Sequence, residues 1–159
     1  MPTPTHIEPP HIARAREQQV ALIPLRVPRS EIMNAMAPAY AELEAVLKAQ
    51  DIHPTGPWFA HHLHRPTDIF DFEVCSPVDK PVVPSGRVMN GNLRAATVVR
   101  TVYSGPYEGL AAAWGEFVDW IAANGHQTAT DLWEVYLVNP HDSADSSTWR
   151  TELNAPLLS

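Results

Sequence analysis

Glu134 is the residue whose setting most asks for a chemical explanation. It stands in Leu132-Trp-Glu-Val-Tyr-Leu-Val138, an otherwise apolar run that reads as a β-strand. Strand side chains alternate between faces. Leu132, Glu134, Tyr136 and Val138 therefore share one face, and Trp133, Val135 and Leu137 share the other. The second face is wholly apolar and is expected to pack under helices, which leaves Glu134 facing a groove beside Tyr136. A carboxylate in semi-buried aromatic surroundings is costly without a partner. A bound cation would relieve that cost, and aromatic faces attract cations as well. Burial could instead raise the pKa of Glu134 and make it a general acid or base. A Glu on a solvated sheet face, or one paired with an Arg, fits the same pattern.

Other residues could serve the same groove. Tyr103 and Tyr107 flank the turn Ser104-Gly-Pro106. A Tyr at a helix entrance can present its hydroxyl to a cleft, which favours Tyr107. Trp114 shares a helical stripe with Leu110 and Phe117 and fits a core position as well as a ligand wall. Trp58 and His62 take the positions of Leu132 and Tyr136 in an internal repeat described below. Were the chain an enzyme, Glu134 would be its acid/base, with Tyr107, or less readily Tyr103, as partner. His61, His62 and His64 suggest a metal, and His62 and His64 share a strand face, yet no third ligand has a recognisable spacing. A hydrated strand surface is the expectation there, with no metal. Glu73 and Glu152 correspond across the repeat and are expected in ion pairs or solvent. No nucleotide loop, nucleophile elbow or zinc motif is present, so no cofactor is expected.

The elements that must position these residues occur twice. Trp58-Phe-Ala-His-His-Leu-His-Arg-Pro66 aligns without gaps on Leu132-Trp-Glu-Val-Tyr-Leu-Val-Asn-Pro140. The same offset, 58 to 132 or 74 residues, puts Met36, Tyr40, Leu43 and Leu47 on Leu110, Trp114, Phe117 and Ile121. Phe72-Glu-Val-Cys-Ser-Pro-Val78 aligns on Thr151-Glu-Leu-Asn-Ala-Pro-Leu157 after five more residues. Strands are expected around Val20–Val27, 58–65, 69–76, 93–103, 132–139 and 148–155. Helices are expected from Ser30-Glu31 through Leu47 and from Glu108 to Asn124, the latter stopped by Gly125. Pro24 should push its strand to an edge or a bulge, and Pro38 should kink the first helix or delay its start. The order β-α-β-β, twice, indicates an α+β fold with pseudo-two-fold symmetry: an antiparallel sheet, two helices and a central groove. A seam between matched halves is a natural ligand cleft. The expected layout is a flexible lead-in over 1–14 and one domain over 15–159, with halves at about 15–83 and 87–157.

Composition narrows the partners. The 159 residues suffice for one domain with a real core. A net charge of −7 disfavours nucleic acid, whose phosphates need a basic surface, so no direct nucleic-acid binding is expected. Cys75 is the single cysteine, which rules out an intrachain disulfide. No apolar run has the ~18 residues of a membrane span, and the Pro-rich N-terminus lacks signal-peptide regions, so a cytoplasmic location is expected.

Tyr103-Ser-Gly-Pro-Tyr-Glu-Gly-Leu110, Trp114, Trp133-Glu-Val-Tyr-Leu-Val-Asn-Pro140 and Trp149-Arg-Thr-Glu-Leu-Asn-Ala-Pro-Leu157 together resemble the GyrI-like small-molecule-binding family. Phe72-Glu-Val-Cys-Ser-Pro-Val78 resembles its first-half motif, so the likeness spans about residues 15–157. The family includes effector-binding domains of AraC-type and MerR-type multidrug regulators. It implies two β-α-β-β units, also called SH2 motifs, and bulky, aromatic, often cationic ligands. It further implies a Glu, here Glu134, at the base of an aromatic pocket. Stand-alone members implied by the resemblance include hydrolases that open cyclopropane rings of alkylating natural products, and inhibitors of DNA gyrase. Some 15 residues before the domain leave no room for a helix-turn-helix, so a stand-alone binding protein is expected, with gyrase or a regulator as a possible protein partner.

Overall fold

The structure, a computed structural model, describes residues 7–64, 67–140 and 142–158. Arg65 and Pro66, part of the expected turn between two strands, lie outside the described residues, as do the first six. The fold is α+β. The chain divides into two compact units, one formed by Arg16–Ala95 with Thr130–Trp133, the other by the described parts of Met1–Ala15, Ala96–Ala129 and Glu134–Ser159.

In the first unit, β2 (Gln18–Pro28) lies between β4 (Ile69–Pro77) and β5 (Met89–Leu93), and β3 (Phe59–His62) extends the sheet beyond β4; all pairs are antiparallel. Pro24 is tolerated because β5 pairs with Gln18–Leu22 only. Beyond Leu22 one side of β2 has no ladder to break. Helix α1 (Ile32–Ala49) packs on β2 and β4 and buries Ala39, Leu43 and Leu47. It follows a 3-10 turn at Arg29–Glu31 and runs through Pro38, which is exposed. Pro38 therefore does not delay the start.

The second unit repeats the scheme. β6 (Ala96–Ser104) lies between β1 (His11–Ala15) and β8 (Arg150–Pro156), and β7 (Leu132–Val138) follows β8. Helix α2 (Leu110–Ala123) covers Val99, Tyr103, Leu153 and Ala155 with Ala113, Phe117 and Ile121. Two strands depart from expectation. His11–Ala15, mostly within the expected lead-in over 1–14, forms β1, and Met89–Leu93, where no strand was expected before residue 93, forms β5. Both are five-residue segments without a clean apolar alternation, and their partners lie far away in sequence, Arg100 for His11 and Gln18 for Leu93. Only those partners make them strands.

The repeat extends to the helix ends. α2 stops at Gly125 with φ 74°, where Gly125 N donates to Ala122 O and His126 N to Ile121 O. α1 closes in the same way: Asp51 N donates to Lys48 O and Ile52 N to Leu47 O. This is the left-handed Schellman closure. Asp51 adopts φ 55° there, a conformation that costs an L-residue with a Cβ and that glycine takes freely. Asp51→Gly is expected to stabilise the protein by about 0.5–1 kcal/mol, read as a raised urea midpoint with an unchanged m-value.

Candidate functional site

The site is built on β7. Glu134 and Tyr136 project from the same strand face, as alternation requires, and Tyr136 Oη donates to Glu134 Oε2 at 3.0 Å. Trp114 of α2 donates its indole Nε1–H to Glu134 Oε1 at 2.6 Å. The carboxylate thus holds two charge-assisted hydrogen bonds, both from aromatic side chains. Here the expected arrangement is corrected. Helix α2 reaches the Glu134 face itself, rather than lying only behind the apolar face. Trp133, on the opposite face, is buried beside His61, with ring centroids 6.0 Å apart and edge-on.

Two more rings join this group. Tyr107 lies in the 3-10 turn Tyr107–Gly109 that leads into α2. Its ring meets Tyr136 edge-on at 5.9 Å and lies tilted over Trp149 at 4.9 Å. Trp149 follows the short 3-10 turn Ser146–Thr148, capped by the Asp145 carboxylate accepting from Ser147 N. The Trp149 indole donates to Ser143 O at 2.9 Å, and its carbonyl accepts from Gly105 N at 2.9 Å. Trp149 was absent from the sequence-derived candidates. The irregular stretch between β7 and β8 has no periodicity that would aim a side chain. Burial pushes the Tyr107 phenol up to about 12, aided by the charges of Glu134 and Asp142. Burial, with Glu134 beside it, also raises Tyr136 well above the ordinary range. Both hydroxyls are therefore un-ionised donors at neutral pH.

The remaining candidates sit elsewhere. Tyr103 is buried in the α2 core, and its hydroxyl donates to Pro106 O at 2.7 Å. Gly109 passes so close that any Cβ there would collide with that hydroxyl oxygen. Tyr103 thus braces the turn that carries Tyr107. Trp58 belongs to the first unit, where it packs on Tyr40 at 4.4 Å. His62 is in the same unit, 5% exposed, stacked on Phe72 at 5.2 Å and edge-on to Phe70 at 5.8 Å.

The histidine strand is not the hydrated surface expected of it. His61 is half-buried between two carboxylates: Nδ1 lies 3.1 Å from Glu73 Oε1 and Nε2 lies 2.8 Å from Asp131 Oδ2. Glu73 is its cross-strand partner in the β3–β4 ladder. Arg94 grips Asp131 with both terminal nitrogens, at 2.6 and 2.9 Å. Desolvation acts to lower the His61 pKa, but the hydrogen bonds and charges of Asp131 and Glu73 outweigh it and hold His61 up at about 9. Burial acts to raise Asp131, yet His61 and Arg94 hold it well below the usual carboxylate range. Glu152, the repeat counterpart of Glu73, faces Arg100 at 3.4 Å and accepts from Asn154 at 3.1 Å.

The chain belongs to the family of GyrI-like small molecule binding domains, which matches residues 8–158. No curated protein sequence matches it significantly. Among solved structures it is similar to the C-terminal domain of EcmrR, at 23% identity and a TM-score of 0.83, covering 95% of this chain and 98% of that one. In the EcmrR–DNA complex the chain spans 57% of the longer protein. It is also similar to SAV2435 bound to tetraphenylphosphonium, at 10% identity and a TM-score of 0.69, over 96% and 95% of the two chains. A hydrolase from Listeria innocua has the same fold, at 13% identity and a TM-score of 0.64, over 99% and 94%. No helix among the described residues is long and apolar enough to cross a membrane.

The His61–Asp131 pair sets a pH profile for stability. His61 is protonated in both folded and unfolded chains below its ordinary 6.5, so its contribution is complete there and fades as pH rises toward about 9. Asp131 contributes above its ordinary 3.8 and loses that contribution as pH falls through its lowered folded value. Urea unfolding should show highest stability between these limits, with a decline on the alkaline side. His61→Gln is expected to cost roughly 1.5–3 kcal/mol at about pH 6 and to flatten the alkaline decline.

Proposed function

We propose that the chain binds bulky, hydrophobic, cationic small molecules at Glu134, with Trp114, Tyr136, Tyr107 and Trp149 as the aromatic lining. One observation carries this reading. Glu134 is held by an indole and a phenol, among aromatic rings, and among the described residues no Lys, Arg or His pairs with it. A half-buried anion keeps its charge here with hydrogen bonds but no counter-charge, which favours an incoming cation. A lipophilic cation would supply the charge, and the ring faces would add cation–π attraction. The tetraphenylphosphonium complex of SAV2435 makes that cation the natural first probe.

Turnover finds less support than binding. A strained-ring hydrolase would need Glu134 to pass a proton on, whereas binding needs only the charge and the ring faces already in place. Association with gyrase would need no occupied pocket, and no feature of the described residues favours it.

Trp114 and Trp149 report on the site directly, so binding of tetraphenylphosphonium should quench tryptophan fluorescence. Glu134→Gln keeps the shape and removes the charge. It is expected to weaken binding at least about tenfold, or 1.4 kcal/mol, while triphenylphosphine oxide, a neutral analogue, should bind weakly to both proteins. Equal affinity of the cation for both proteins would remove Glu134 from the site.

A further inference from the structure

The Tyr107 hydroxyl is a loose end in this group. Its oxygen is buried, and among the described residues nothing donates to it or accepts from it. Its neighbours are committed: Tyr103 Oη donates to Pro106 O at 2.7 Å and Tyr136 Oη to Glu134 Oε2 at 3.0 Å. A buried hydroxyl without a partner destabilises the folded chain, and native proteins keep few of them. Thr151 Oγ1 is also unpartnered, but Thr151 is fully buried opposite Tyr103 in the β6–β8 ladder. Tyr107 keeps part of its side chain exposed, although its hydroxyl oxygen is covered. Of these two hydroxyls, that of Tyr107 belongs to the residue with surface a ligand can meet.

The chemistry of the vacant bond is fixed. With its phenol pushed up to about 12, Tyr107 carries its proton at neutral pH and has a donor to offer. Glu134 has both oxygens engaged, so an incoming cation meets its charge more than a free lone pair. Ring contacts and charge alone would hold any lipophilic cation. A hydrogen bond from Tyr107 is the directional contact left to distinguish one such cation from another.

Building on the Glu134 reading, we infer that the site selects lipophilic cations that also carry a neutral hydrogen-bond acceptor, a carbonyl or ether oxygen, and that Tyr107 is the residue that reads it. A polar group built to bond its ligand discriminates strongly against an analogue lacking the partner, because the protein side is then left unpaired.

The test uses matched phosphonium cations and tryptophan fluorescence. Acetylphenyl-triphenylphosphonium has a carbonyl oxygen where isopropenylphenyl-triphenylphosphonium has a methylene, with the same shape and charge. Ortho, meta and para forms of each place the acceptor at different distances from the cation. At least one acetyl form should bind about tenfold tighter than its isopropenyl twin. In Tyr107→Phe the ratio for that pair should fall to about one. Reading the ratio within one protein cancels any general loss of affinity. Because the lost hydroxyl had no partner, Tyr107→Phe should melt at or above the parent temperature. No acetyl preference in any form, or a preference that survives in Tyr107→Phe, overturns the inference while leaving cation binding intact. An acetyl preference lost in Tyr107→Phe, with Glu134→Gln binding unchanged, supports Tyr107 and overturns the role of Glu134. Failure of every cation to bind overturns both.

Discussion

The second unit is organised around one half-buried carboxylate satisfied by two aromatic donors. Glu134 sits on a strand that is otherwise apolar, and the fold brings it two donors with apolar bodies. The Trp114 indole and Tyr136 phenol each present a single polar atom on a large hydrocarbon ring. They can hydrogen-bond the anion without admitting water or neutralising its charge. A Lys or Arg in either place would satisfy the oxygens and cancel the negative potential as well. The aromatic choice leaves the negative charge in place among ring faces, which is the basis of the proposed preference for lipophilic cations.

That arrangement needs each ring fixed from a different element. Trp114 is set by the helical stripe that buries Phe117 and Ile121 in the core. Tyr107 is set by the short turn before α2, braced by the Tyr103 hydroxyl on Pro106 O. Trp149 is set by the capped turn before β8 and by its own indole on Ser143 O. On the chain leading into β7, Asp131 stands three residues before Glu134, held by His61 and by both terminal nitrogens of Arg94. A half-buried charged group with two partners resists displacement, because breaking one contact leaves another charge uncompensated.

The two units also show how one local pattern can carry different roles. Position 60 in the first unit is Ala where the second has Glu134, and Ala60 is fully buried. The helix residue that corresponds to Trp114 is Tyr40, which packs on Trp58 rather than reaching a carboxylate. The helix closures at Asp51 and Gly125 remained alike while the chemistry diverged. Backbone geometry is shared because the same packing problem, one helix on an antiparallel sheet, is solved twice.

Periodicity in the sequence was enough to determine, among the described residues, both helices, six of the eight strands, the face shared by Glu134 and Tyr136, and the stop at Gly125. Those features follow from local rules: side-chain alternation, helical spacing and the φ freedom of glycine. β1 and β5 were beyond its reach, because a short segment with weak alternation becomes a strand only when a distant partner supplies its hydrogen bonds. Tertiary structure alone decided that Trp114 of α2 reaches Glu134, since a helical stripe does not say which strand residue its side chains will meet. It also decided that Tyr103 is a brace and Tyr107 a free donor. Both tyrosines flank the same turn in sequence. The backbone fold puts Pro106 O within reach of one hydroxyl, and among the described residues no partner within reach of the other.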